Sequence, residues 1–125
     1  MIAGKHGGEM MIHSAIRLEM ELKKRDEAID ILVPIVKRTR NKVGCISCFV
    51  YKNIEDESQI LIEQFWRNDD DMRNHLRSQD YQQLLLIVEM ALKKPEIEFN
   101  TVAHTTTGME MIQKARMSKE VNKKS

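Results

Sequence analysis

Two neighbouring segments, residues 45–53 (CISCFVYKN) and 59–67 (QILIEQFWR), are rich in β-branched and aromatic residues, and they are apolar on both alternating sets of positions. Such composition reads as strand, and successive side chains of a strand point to opposite faces. On the first segment Cys45, Phe49 and Tyr51 share one side, while Ile46, Cys48 and Val50 share the other. On the second, Ile60, Ile62 and Trp66 oppose Leu61 and Phe65. A sheet with one face in water is polar at every second residue. This pair offers no such face, so any fold the chain adopts must cover the sheet on both sides. The polar IEDES between the segments, residues 54–58, reads as a hairpin connection.

The remaining elements follow from periodicity. Residues 11–20 (MIHSAIRLEM) alternate, with Ile12, Ser14, Ile16, Leu18 and Met20 on one face and His13, Arg17 and Glu19 on the other. Over residues 23–44, Ala28, Ile31, Leu32, Ile35 and Thr39 recur at helical spacing, with Pro34 expected to kink the helix and Gly44 to end it. Asn68 or Asp69 caps a second helix with Met72, His75 and Leu76 on one face. A break at residues 78–80 leads into a helix carrying Tyr81, Leu84, Leu85, Val88 and Leu92, stopped near Pro95. Residues 96–106 read as a fourth strand, and a short basic helix and tail follow Gly108.

The order strand, helix, strand, strand, helix, strand is the ferredoxin-like split βαβ arrangement. The expected fold is α+β, an antiparallel sheet with two helices on one face. The simplest cover for the other face is the same sheet of a second subunit, so a homodimer is expected. The chain divides into a flexible segment at 1–10, a ferredoxin-like domain at 11–107, and a helix and basic tail at 108–125.

Composition narrows the function. With 125 residues the chain suits one domain. A net charge of +1 gives no general attraction to nucleic acid or membrane. The late cluster Lys114, Arg116, Lys119, Lys123 and Lys124 is not interleaved with aromatics. No apolar run approaches the roughly 20 residues that span a bilayer, and the N-terminus lacks a signal-peptide core, so a cytoplasmic location is expected. The chain has no phosphate-cradling glycine loop and no Ser-His-Asp arrangement. Cys45 and Cys48 have redox spacing, but such pairs act at helix N-termini. In a strand their odd separation places them on opposite faces, unable to bridge.

Gly44-Cys45 opening the second strand, Trp66 closing the third, and His75-Leu76 on the following helix resemble the antibiotic biosynthesis monooxygenase domain family. The resemblance covers residues 11–107. It implies a dimeric α+β barrel in which two sheets pack face to face. Some members of that family oxygenate aromatic polyketide-type substrates or quinols without metal or flavin, one branch binds and degrades haem, and many have no assigned substrate. The chain departs from the pattern at Gln64, where the family often has Glu, and the first strand lacks the Asn on which the haem branch relies.

The resemblance thus implies cofactor-independent monooxygenation of a small aromatic, phenolic or quinol-like substrate. The alternatives are a haem-binding or haem-degrading protein, or a non-catalytic dimer that binds a small metabolite. His75 is the expected catalytic base or hydrogen-bond partner, and Trp66 the residue that positions the ring. Tyr81, Met72, Gln64 and Arg17 are expected to contact the substrate, a small hydrophobic or aromatic molecule. No metal or cofactor is expected. His13 and His104 fall on neighbouring strands but lack a third ligand for zinc.

Overall fold

The computed structural model describes residues 10–124, so residues 1–9 of the segment expected to be flexible lie outside it. Four strands, β1 (Met11–Glu19), β2 (Cys45–Lys52), β3 (Gln59–Trp66) and β4 (Glu96–Val102), form one antiparallel sheet in the order β2-β3-β1-β4. Four helices accompany them: α1 (Leu22–Arg40), α2 (Asp69–Leu76), α3 (Gln79–Val88) and α4 (Glu110–Lys124). The α+β ferredoxin-like fold expected from the element order is the fold observed.

Register explains the core. Ile12, Ser14, Ile16 and Leu18 of β1 pair with Trp66, Gln64, Ile62 and Ile60 of β3, and all eight are buried beneath the helices. Ala28 and Leu32 of α1 and Leu84 and Ile87 of α3 close over them. Each such aliphatic side chain contributes about 1.5–3 kcal/mol on burial. Ile31, Leu85 and Leu92, expected on the buried stripes, are exposed. α3 ends at Val88 because residues 89–95 turn back toward the sheet, where Leu92 N–H donates to the Glu19 carbonyl at 2.7 Å. Pro34, expected to kink α1, lies inside the helix. It is on the solvent side, where a helix wrapping a core already lengthens its backbone bonds.

The second correction is larger. β2 carries a bulge between Cys45 and Ser47: Cys45 pairs with Trp66 and Ser47 with the adjacent Phe65. One extra residue in a strand shifts the alternation upstream of it. Cys45 therefore shares the helix-covered face with Cys48, which pairs with Gln64. The two cysteines are not separated by the sheet. Both are free thiols, and burial raises both pKa values, that of Cys48 to about 12. Burial thus disfavours the thiolate that redox exchange requires.

The opposite face is open. It carries His13, Arg17, Leu61, Glu63 and Phe65, with Phe49 and Tyr51 of β2 at 43% and 47% exposure. At the β4 edge Ile97 and Phe99 are exposed on the helix side. α4 extends away from the sheet with Met111, Ile112 and Met117 exposed.

Gly44 joins the loop after α1 to β2 with φ +84, and a Cβ there would overlap the Asp71 side chain of α2. Its carbonyl accepts from Arg67 N–H at 2.9 Å. Gly44→Ala combines backbone strain with a clash, each costing on the order of 1–3 kcal/mol. We expect it to lower the unfolding free energy by about 2 kcal/mol or more in urea titration; an unchanged midpoint would show that the loop relaxes freely.

Candidate functional site

β3 delivers Trp66 to the end of the helix-covered face, and the short connector 67–68 folds α2 directly back over it. Asn68 caps α2 by accepting from Asp71 N–H at 2.9 Å, and three aspartates fill the first turn, as the helix dipole favours. Ser78 then caps α3, accepting from Tyr81 N–H at 3.2 Å. These two caps set where His75 and Tyr81 face.

The imidazole of His75 is 2% exposed. It stacks on the Trp66 indole with centroids 5.0 Å apart, and it meets the Tyr81 ring edge-on at 5.4 Å. Trp66 is held in turn by its indole N–H, which donates to the Gln64 side-chain oxygen at 2.9 Å. Met72 packs against Trp66 and Ile12. Five of the six expected site residues therefore come together. Arg17 does not: it lies on the open face, half exposed, and its guanidinium pairs with Glu98 at 2.6 Å. His13 and His104 are likewise engaged separately, His13 by Glu63 and Asn100, His104 by Thr106. No group of three His, Cys, Asp or Glu side chains converges among the described residues.

Lys42 was not among the expected residues. Its ammonium lies 3.0 Å from His75 Nδ1, 3.2 Å from Ser78 Oγ and 3.3 Å from Asp80 Oδ2. Asp80 is also bound by Arg38 at 2.8 Å. An ammonium has three donors and no acceptor, so Nδ1 must supply a lone pair and the imidazole proton resides on Nε2. That Nε2 is buried and has no hydrogen-bond partner. An unmade bond of this kind costs about 1–3 kcal/mol. In this arrangement neither nitrogen offers a free lone pair. Burial and then the neighbouring Lys42 lower its pKa to about 4, which keeps it neutral at physiological pH. Nothing in the sequence flags Lys42; three separate elements must first be brought to one place.

A cleft of about 260 Å³ opens beside these groups, lined by Lys42, Val43, Trp66, Asp71, Asn74 and His75. A larger one, about 650 Å³, lies at the opposite end of the sheet and includes Arg17, Tyr51 and Lys93. Two of its charges are already paired, Arg17 with Glu98 and Lys93 with Glu19, and it holds no orphaned buried group. The smaller cleft is the better candidate.

Residues 11–85 match the family model described as antibiotic biosynthesis monooxygenase. Among solved structures the fold is similar to a conserved protein from Methanosarcina mazei Go1 (20% identity, TM-score 0.69, covering 74% of this chain and 93% of that one). It is also similar to a candidate antibiotic biosynthesis monooxygenase from Deinococcus radiodurans (20% identity, TM-score 0.71, 78% and 98%). A protein from Mycobacterium tuberculosis is similar as well (14% identity, TM-score 0.69, 78% and 99%). At these identities the likeness is one of fold. Comparison with curated proteins gave no match.

The His75 shift has a thermodynamic consequence. In the unfolded chain the imidazole takes up a proton near 6.5, in the native protein only near 4. Its contribution to stability is complete above pH 6.5 and is lost as pH falls toward 4. Asp80, held below the usual carboxylate range chiefly by its bond from Arg38, adds a loss at more acid pH. Denaturant unfolding at pH 7 and pH 5 is expected to show less of this acid loss in His75→Gln than in the wild type; equal losses would place the acid sensitivity elsewhere.

Proposed function

The chain belongs to the antibiotic biosynthesis monooxygenase family, and on that footing we propose that it is a cofactor-independent monooxygenase acting on a small phenolic or quinol-like molecule at the Trp66–His75 cleft. The observation that carries this reading is the orphaned Nε2–H of His75, a buried donor beside an aromatic wall. The substrate occupies the cleft whose wall includes Trp66 and His75. An anthrone-like substrate loses a proton from its ring CH₂ to water and becomes an electron-rich carbanion. That carbon bonds dioxygen, and the peroxide loses water to leave a carbonyl. One oxygen atom enters the product and the other leaves as water. The protein supplies orientation, a fixed donor for developing negative charge, and a site shielded from solvent.

The haem alternative fits the residues poorly. A ligating Nε2 needs its lone pair free and the proton on Nδ1, and the Lys42 ammonium opposes a proton there.

The same reading makes the protein a homodimer. Phe49, Tyr51, Leu61 and Phe65 form an apolar floor on the open face, and a second copy of the sheet would cover it, completing the α+β barrel. No helix among the described residues is long and apolar enough to cross a membrane.

Oxygen uptake with a panel of hydroquinones and anthrones is the direct test. We expect turnover, with His75→Ala lowering kcat by about 10²–10³, the usual loss for one oxyanion donor. No uptake by folded protein with any substrate would leave a binding module rather than an enzyme. Sedimentation at micromolar concentration is expected to give a dimer, and Phe49→Glu/Tyr51→Glu a monomer; a wild-type monomer would overturn the assembly.

A further inference from the structure

The β4 edge of the sheet is left bare on the helix side. Ile97 and Phe99 pair with Ile16 and Ser14 of β1, which the helices bury, yet they are themselves 43% and 46% exposed. Between β4 and α2 runs a groove of about 290 Å³, walled by Ile12, Met72, Leu76 and Phe99, with Asp69 on its rim. Asp69 is shared with Arg73. Its neighbour Asp70 is exposed and forms no salt bridge among the described residues. α4 has the complementary character. Its described side chains, residues 110–118, are all exposed, and a helix of 15 residues with no packing partner is marginal in water. Met111, Ile112 and Ala115 fall on one side of it at helical spacing, between Arg116 and Lys114, the latter paired with Glu110. The α4 sequence holds five Lys and Arg residues against two Glu. One chain thus carries an apolar strip with a basic surround and an apolar groove with an acidic rim, and within that chain the two do not meet.

We propose that α4 of one copy seats in the β4–α2 groove of a second copy, with Met111 and Ile112 on Phe99 and Leu76 and the basic surround toward Asp69 and Asp70. Exchange of this kind needs an element without a seat at home and an empty seat on an identical chain. Burial of the apolar strip supplies the attraction, and the acidic rim selects a basic helix over other amphipathic segments. α4 lies beyond residues 11–85, the part that matches the family model. The groove shares no lining residue with the Trp66–His75 cleft, so the exchange holds whether or not that cleft is catalytic.

The test places the photo-crosslinking side chain p-benzoylphenylalanine at Ile112, and separately at Met111, in the full-length protein. After irradiation, a crosslink between copies runs at twice the chain mass on a denaturing gel, one within a chain does not, and mass spectrometry locates the attachment. We expect the double-mass product to dominate, attached to β4 at residues 97–101 or to α2 at residues 72–76. Asp69→Asn/Asp70→Asn is expected to lower its yield about threefold, as the loss of two exposed charge contacts would, and circular dichroism checks that each variant is folded. A single-mass product joining α4 to its own groove, a double-mass product joining α4 to α4 or to the open sheet face, no crosslink from either position, or a yield unchanged by the Asn substitutions would each overturn the proposal. Oxygen uptake decides none of these outcomes, so the monooxygenase reading and the helix exchange stand or fall separately.

Discussion

The loop after α1 meets the junction of α2 and α3, more than thirty residues further along the chain, at the Lys42 ammonium, and the geometry of the cleft depends on that meeting. The loop after α1 provides the cation, the end of α2 the imidazole, and the cap of α3 the hydroxyl and carboxylate. Each partner is short of something the others hold: the ammonium needs acceptors, Nδ1 needs a donor, Asp80 needs a counter-ion. Gly44 lets the same loop approach α2 closely enough for Asp71 to occupy the space a side chain would fill. The loop, the two helix ends and Trp66 therefore behave as one packed unit, and a change in any of them is felt at the imidazole.

Much of the fold was legible because it rests on period and on local chemistry. The two-sided strands, a cap at Asn68 or Asp69, the break at residues 78–80, and the inward-facing Met72, His75 and Tyr81 all follow from spacing within a single element. The errors arose where a local rule met a long-range one. Leu85 and Leu92 carry suitable side chains, but α3 is oriented by its packing on α1, which buries Ile87 instead. Arg17, which its strand alternation sets opposite Ile16 and Leu18, lies on the open face and pairs with Glu98. Lys42 was invisible, since a lysine in a polar loop has no signature until its partners are known.

Membership of the family accounts for the scaffold and leaves the chemistry of the cleft to particular residues. Gln64 is one. Its amide oxygen holds the Trp66 indole, as a carboxylate would, yet it brings no charge into a buried region that also contains Cys48 and Ser14. The result is a neutral buried patch around Trp66, while the charged groups Lys42 and Asp71 line the cleft itself.

A strand read in steps of two has a phase, and the extra residue at the start of β2 resets it. Losing Ile46 would barely shorten the strand. It would remove the bulge and bring Cys45 next to Ser47, where regular alternation keeps it opposite Trp66. The bulge thus absorbs one residue of length without changing the side of the sheet on which Cys45 and the loop before it lie.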